Sequence, residues 1–320
     1  MIFEKQVVNG YKGMIHTRCD DTETVFYFSA KDFAGLQKES YAFKSSMGHT
    51  LQGYLYSYDN FIEDRLIVFD HGFGGGHEAY MKEIEKLCSH GYRVFAYDHT
   101  GCMKSGGENP NGLAQSLCDL NDCIATLKTD KGFAGIDISV MGHSWGAFST
   151  LNIASLHPEI SHIVALCGFV SVEEMIKTFF AGPFKGYRKA VLALEQESNP
   201  KFFSYNAVES LKNSNVRALL IYSEDDQLCR RTHYDILKEG LEKKDNVRFL
   251  FVQNKGHNPN YTADAVKLLS KFSKARTKFV KKKNATKEEK ACFVASFDWG
   301  KMTTQDEAVW QEIFAHLDDK

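Results

Sequence analysis

The segment Gly142-His143-Ser144-Trp145-Gly146 sets a serine between glycines two residues before and two residues after it. With glycine near 7% of residues, that spacing arises by chance in roughly one chain of this size in ten. Context carries the argument further. The apolar run ISVM lies directly before the motif and AFSTLNIASL directly after it, so a strand, a sharp turn and a helix are expected in that order. Such a turn needs glycine on both sides for lack of side-chain bulk. It lifts the serine Oγ out of the sheet at a helix N-terminus, where developing negative charge is favoured. A serine hydroxyl needs a base to become a nucleophile. His257, in NKGHN, follows the last predicted strand, and Ser223-Glu224-Asp225-Asp226 follows the one before it. The chain order Ser144, Asp226 (or its neighbour Asp225), His257 is the serine–acid–histidine order of a hydrolytic triad. A glycine-rich turn, His71-Gly72-Phe73-Gly74-Gly75-Gly76, follows another strand. Backbone N–H groups there can face an oxyanion, and those of Phe73 and Trp145 are the expected pair. A phosphate cradle is the other reading of HGFGGG, but no Lys-Ser/Thr follows and the GxGxxG spacing is absent.

These residues need a scaffold that gathers them. Strands are predicted at 65–72, 92–99, 138–144, 162–170, 217–224 and 247–254, several of them continuous apolar runs as in strands covered on both faces. Helices are predicted at about 78–90, 112–129, 146–157, 230–242 and 261–280. The alternation argues for an α/β fold with a mostly parallel central sheet flanked by helices. Residues 41–58 read as an antiparallel hairpin around Met47-Gly48-His49, added to one edge. Ser144, Asp226 and His257 then all fall at carboxyl ends of strands, where such sheets gather their reactive groups. Residues 171–213 are too long for a simple connection. They show helical spacing at 172–180 and 187–196 and hold Phe179, Phe180, Phe184, Tyr187, Phe202, Phe203 and Tyr205, which marks a cap or lid.

The chain resembles the α/β-hydrolase superfamily, in particular its serine aminopeptidase-like and monoacylglycerol lipase-like branch. The matching segments are FKSSMGHTLQGYLYS, HGFGGG, YDHTGCMKSGG, GHSWG, YSEDDQL and KGH, in order over roughly residues 40–275. The resemblance implies the α/β-hydrolase fold with a helical cap after the sixth strand. It also implies ester, thioester or amide hydrolysis through an acyl-enzyme, with no metal and no cofactor. It favours Asp226 over Asp225, because the family places a small residue three before the acid and apolar residues after it, matched by Ser223, Leu228 and Cys229. One block departs from the family's Asp-x-Arg-Gly-x-Gly-x-Ser: here Asp98-His99-Thr100-Gly101-Cys102-Met103-Lys104-Ser105 lacks the arginine.

The whole composition sets the remaining bounds. With 320 residues, 43% hydrophobic and 25% charged, the chain is of ordinary globular type. The 39 Lys and Arg nearly balance the 41 Asp and Glu, which gives no global nucleic-acid footprint. No apolar run approaches the ~18 residues of a membrane span, and the start lacks a secretory pattern. Eight scattered cysteines without a CxxC pair read as reduced thiols and a cytoplasmic location. Residues 1–40 and 281–320 read as extensions of a hydrolase domain at 41–280, the latter ending in an amphipathic helix within 305–320. The lysine-rich stretch from Lys271, through Lys281-Lys282-Lys283, is expected as a solvated helix face. His71 and His143 are expected to hydrogen-bond rather than to transfer protons, while His77 and His99 are left between pocket and surface. The expected function is a serine hydrolase acting on an apolar or aromatic small-molecule ester. A peptidase, with Glu173-Glu174 to meet an amino terminus, a thioesterase and a non-catalytic binding module are the alternatives. A serine rather than aspartate elbow disfavours haloalkane chemistry. The oligomeric state is left open.

Overall fold

A computed structural model describes residues 3–20, 23–282 and 284–319. Eight strands form one sheet: β1 (Gln37–Lys44), β2 (Thr50–Ser57), β3 (Arg65–Asp70), β4 (Arg93–Tyr97), β5 (Asp137–His143), β6 (His162–Leu166), β7 (Arg217–Ser223) and β8 (Val247–Val252). Their spatial order is β1-β2-β4-β3-β5-β6-β7-β8. The β1–β2 hairpin is antiparallel and joins β4 antiparallel, and every pairing from β4 through β8 is parallel. This is the α/β-hydrolase architecture.

Alternation along the strands sorts the core into two layers, since successive side chains point to opposite faces. Leu66 and Val68 of β3 face one layer and Ile67 and Phe69 the other. The first layer is covered by α3 (Gln115–Thr129), α4 (Trp145–Ile153) and α8 (Arg231–Leu241). The second is covered by α2 (Met81–Ser89) and by α12 (Glu307–Leu317), whose Val309, Trp310, Ile313 and Leu317 are buried. The amphipathic helix expected at the end of the tail packs with its apolar side in this second layer. The strand expected over 162–170 stops at Leu166, because Cys167 turns the chain with φ 50°.

Three helical segments lie outside this sandwich. The first is α1 (Glu4–Ile15), which buries Tyr11 and Ile15; the domain start expected at 41 falls inside β1 instead. The second, within 171–213, holds α5 (Val172–Phe179), α6 (Arg188–Ser198) and α7 (Ala207–Lys212). The third runs from α9 (Ala263–Val280) through α10 (Lys287–Ala295) to α11 (Trp299–Met302). Its two ends meet: Thr262 N–H donates to Thr304 O at 3.0 Å and Asp306 N–H to Asn260 O at 2.7 Å. Phe272, Phe279, Phe293, Phe297 and Trp299 pack ring against ring inside this small lobe, mostly edge to face. Lys283 lies outside the described residues. No helix among them is long and apolar enough to cross a membrane.

Candidate active site

Ser144 follows β5 directly and caps α4 with φ 56° and ψ −111°, a backbone conformation that costs on the order of 1–3 kcal/mol in an ordinary residue. The neighbouring glycines make it possible. A Cβ on Gly142 would collide with the Gly146 carbonyl and the Thr150 hydroxyl, and one on Gly146 with the Asp70 carbonyl. The turn is held by Ser144 N–H donating to Leu166 O at 2.8 Å.

Ser144 Oγ lies 2.8 Å from His257 Nε2, and His257 Nδ1 lies 2.8 Å from Asp226 Oδ2. A carboxylate only accepts, so Nδ1 carries the proton toward Asp226 and Nε2 is left to receive one from Ser144. The buried Asp226 also accepts N–H bonds from Leu228 (2.8 Å) and Cys229 (3.1 Å) on its other oxygen. Asp225 does something else. Its Oδ1 accepts from the Ser223 hydroxyl at 2.7 Å and from the N–H groups of Gly256 (3.0 Å) and Lys255 (3.1 Å). Burial opposes its ionisation, yet these donors hold its carboxyl below the usual range. Asp225 thus ties the acid's loop to the histidine's loop, while Asp226 meets the imidazole.

The glycine-rich turn is fixed from both sides of Gly72. His71 Nε2 accepts from His99 N–H at 2.9 Å, so its Nδ1 is the protonated nitrogen and donates to Gly72 O at 2.7 Å. Tyr80 Oη accepts from Gly72 N–H at 3.1 Å and donates to His143 Nδ1 at 2.8 Å, and His143 Nε2–H donates to His257 O at 2.6 Å. With the Gly72 carbonyl turned to His71, the planar trans peptide turns Phe73 N–H the opposite way. Burial, reinforced by neighbouring imidazoles, pushes both His71 and His143 down to about 3, so both stay neutral and hold these roles. His99 behaves oppositely. Burial would lower it, but Asp70 (2.7 Å) and Asp119 (3.2 Å) outweigh burial and raise it to about 9. His77 is also buried, its Nδ1 at 2.7 Å from Asp98. Neither belongs to the exposed loop surface.

A cavity of about 270 Å³ opens on Ser144 and His257. Its floor holds Phe73, His143 and Trp145. Its walls come from Leu113 and Phe169, from Met175 and Phe179 of α5, from Leu228, and from Met14 and Ile15 of α1. Sequence reasoning missed α1 here. It is latched by the fully buried Glu195 of α6, which accepts from Tyr11 Oη at 2.7 Å and from Leu113 N–H at 2.7 Å. Just beyond α1, Arg18 donates to the carbonyls of Met103, Ser105 and Gly107, bracing the loop whose own arginine is missing. Glu173 and Glu174 pair with Lys177 instead of lining the cavity. Cys167, Asp226 and His257 bring ligand atoms within 4.8 Å of one another, the one such set among the described residues. Burial holds the Cys167 thiol far above its usual range, which makes it a neutral neighbour of Asp226.

Residues 63–249, more than half of the chain, match the family described as serine aminopeptidase, S33. A protein of Agrobacterium fabrum named for carbamate hydrolysis, RutD, is 30% identical over 100 residues, which are 31% of this chain and 36% of that protein. A monoglyceride lipase homolog of monkeypox virus is 28% identical over 97 residues, 30% of this chain and 34% of the viral protein. The chain thus spans about a third of the length of these curated relatives. An esterase of Pyrococcus furiosus superposes with a TM-score of 0.59 at 19% identity, over 88% of this chain and 99% of the esterase, a likeness of fold. With the sheet order, the elbow and the family match together, the chain belongs to the serine aminopeptidase S33 family of α/β-hydrolase enzymes.

Proposed function

We propose that the protein hydrolyses carboxylic esters with an apolar group through an acyl-enzyme on Ser144. The observation that carries this reading is the unbroken hydrogen-bond chain Asp226–His257–Ser144 opening on an apolar cavity. His257 Nε2 takes the Ser144 proton as Oγ attacks the ester carbonyl, and Asp226 steadies the imidazolium. The oxyanion forms against the N–H groups of Phe73 and Trp145, neither of which donates to another described protein group. His257 then gives its proton to the departing alcohol. Water, deprotonated by the same imidazole, attacks the acyl-Ser144 ester and releases the acid.

Two features favour a small apolar ester over a peptide. The cavity walls are Met, Ile, Leu, Phe and Trp, and no lining residue is acidic, so nothing meets a peptide's amino terminus. The cavity lies just below the usual size range of small-molecule sites, which suits a short or medium acyl chain. In this reading 171–213 and α1 together form the lid. The test is hydrolysis of p-nitrophenyl esters from acetate to a long acyl chain, beside Ser144→Ala. Chain-length-dependent turnover that disappears in the variant is expected. Turnover that survives in Ser144→Ala overturns the triad. A silent ester series with cleavage of aminoacyl amides moves the substrate to peptides.

A further inference from the structure

We propose that the α9–α11 lobe docks the protein on an anionic membrane surface through Lys271, Lys274, Lys278 and Lys281. On a helix of 3.6 residues per turn these four positions fall within an arc of about 80° and run for about 15 Å along one side. All four are exposed, and among the described residues none has an acidic or hydrogen-bonding partner. Lys267, on the same side one turn earlier, is paired with Asp264 at 3.1 Å. The opposite side of α9 buries Ala265 and Phe272.

Charge is concentrated in this lobe. Residues 262–304 hold eleven Lys and Arg against four Asp and Glu, while the rest of the chain holds 28 against 37. A near-neutral protein is therefore an acidic body with a basic attachment, and an anionic surface attracts one part while repelling the other. The chemistry of the row favours lipid over nucleic acid. Nucleic-acid surfaces offer aromatic rings for stacking and arginine forks for bidentate contacts. Here the lobe's aromatic residues pack on one another, and Arg276 is turned to Thr24 at 3.2 Å. What remains is a row of ammonium point charges, the pattern that anionic headgroups attract.

The test is co-sedimentation of the full chain with phosphatidylcholine vesicles, with and without phosphatidylserine, at low and high salt. Ser144→Ala protein is included, so that docking is read separately from ester hydrolysis. Binding is expected for both proteins only with phosphatidylserine and is lost at high salt. Each lysine replaced by glutamine should weaken it about fivefold, and K271Q/K274Q/K278Q/K281Q several hundredfold. Turnover of a short soluble ester by the quadruple variant should stay at the wild-type level, which shows that it folds. Equal binding to pure phosphatidylcholine, no binding to either vesicle, or full binding by the quadruple variant overturns the proposal. Retardation of an RNA oligonucleotide without vesicle binding assigns the lobe to nucleic acid instead.

Discussion

The floor and the walls of the cavity are built in different ways. The floor is backbone: a strained serine, a glycine turn whose carbonyl and N–H are both engaged, and two loops stitched by Asp225. It lies at strand ends, and apart from the His257 loop it falls within the stretch that matches the family, as do the wall residues other than those of α1. The walls are side chains from α5, from the Leu228 loop and from α1, the last of these tied to Glu195 of α6 across 184 residues of sequence. Backbone geometry at strand ends fixes what reaction can occur. In the proposed function the side chains of the wall select which molecule reaches it, and α1 supplies two of them from outside the matched stretch.

The largest effect should separate the two carboxylates of the floor. Asp226→Asn should lower kcat by about 10⁴, because the amide cannot hold the imidazole in its working tautomer. Asp225→Asn should stay within about threefold, since an amide oxygen can still accept the N–H groups of Lys255 and Gly256. Equal losses in steady-state assays would erase the distinction between acid and tie. Next in size, Tyr80→Phe leaves Gly72 N–H and His143 Nδ1 unpaired in a buried site. It should cost about 1–3 kcal/mol of stability in urea unfolding and lower kcat about tenfold with KM nearly constant. A change in KM alone would place Tyr80 in the wall rather than beneath the oxyanion.

The wall should respond to chain length. Met14→Trp, at a residue 52% exposed, should reduce kcat/KM for long acyl chains about tenfold and leave acetate within about twofold. Uniform loss across the ester series would return α1 to a purely structural part. The gentlest test is the pH dependence of stability. His99 is raised from 6.5 to about 9 in the fold, so its contribution is present below pH 6.5 and lost as pH rises through 9. His71 and His143 are depressed to about 3, so acidification from pH 6.5 favours the unfolded chain, which takes up protons the fold refuses. Thermal midpoints should peak near pH 6.5 and fall on both sides. A midpoint that rises steadily to pH 9 would mean that His99 is not held as a cation.

What could be read from the sequence follows the same division. The strands were legible because runs such as RLIVFD and RALLIYS are apolar throughout, and β3 and β7 lie within a residue or two of the expected positions. The elbow, Ser144 and His257 were expected from motif and strand order, and Asp226 was preferred to Asp225 only through the family resemblance. The helix α1 was not expected, because EKQVVNGYKGMI carries two glycines and its buried Tyr11 and Ile15 answer to partners far away in the chain. Nor were the roles of Tyr80 and Cys167 or the partners of His143, which arise only where separate loops meet. His77 and His99 could not be assigned without Asp98, Asp70 and Asp119 beside them.

The paired ends of 262–304 carry one more consequence. Loop-closure entropy is set mainly by whether two ends must be brought together and only slowly by the length between them. Thr262 and Thr304 are already hydrogen-bonded neighbours, and α12 takes up its place in the sheet's second layer just after them. For the body of the protein the lobe is therefore an insertion closed at its base, held besides by Trp299 against Phe26, Arg276 at Thr24 and Lys290 at Glu23. A short turn across that junction should leave the fold intact, and a foreign domain with closely spaced termini should fit in its place.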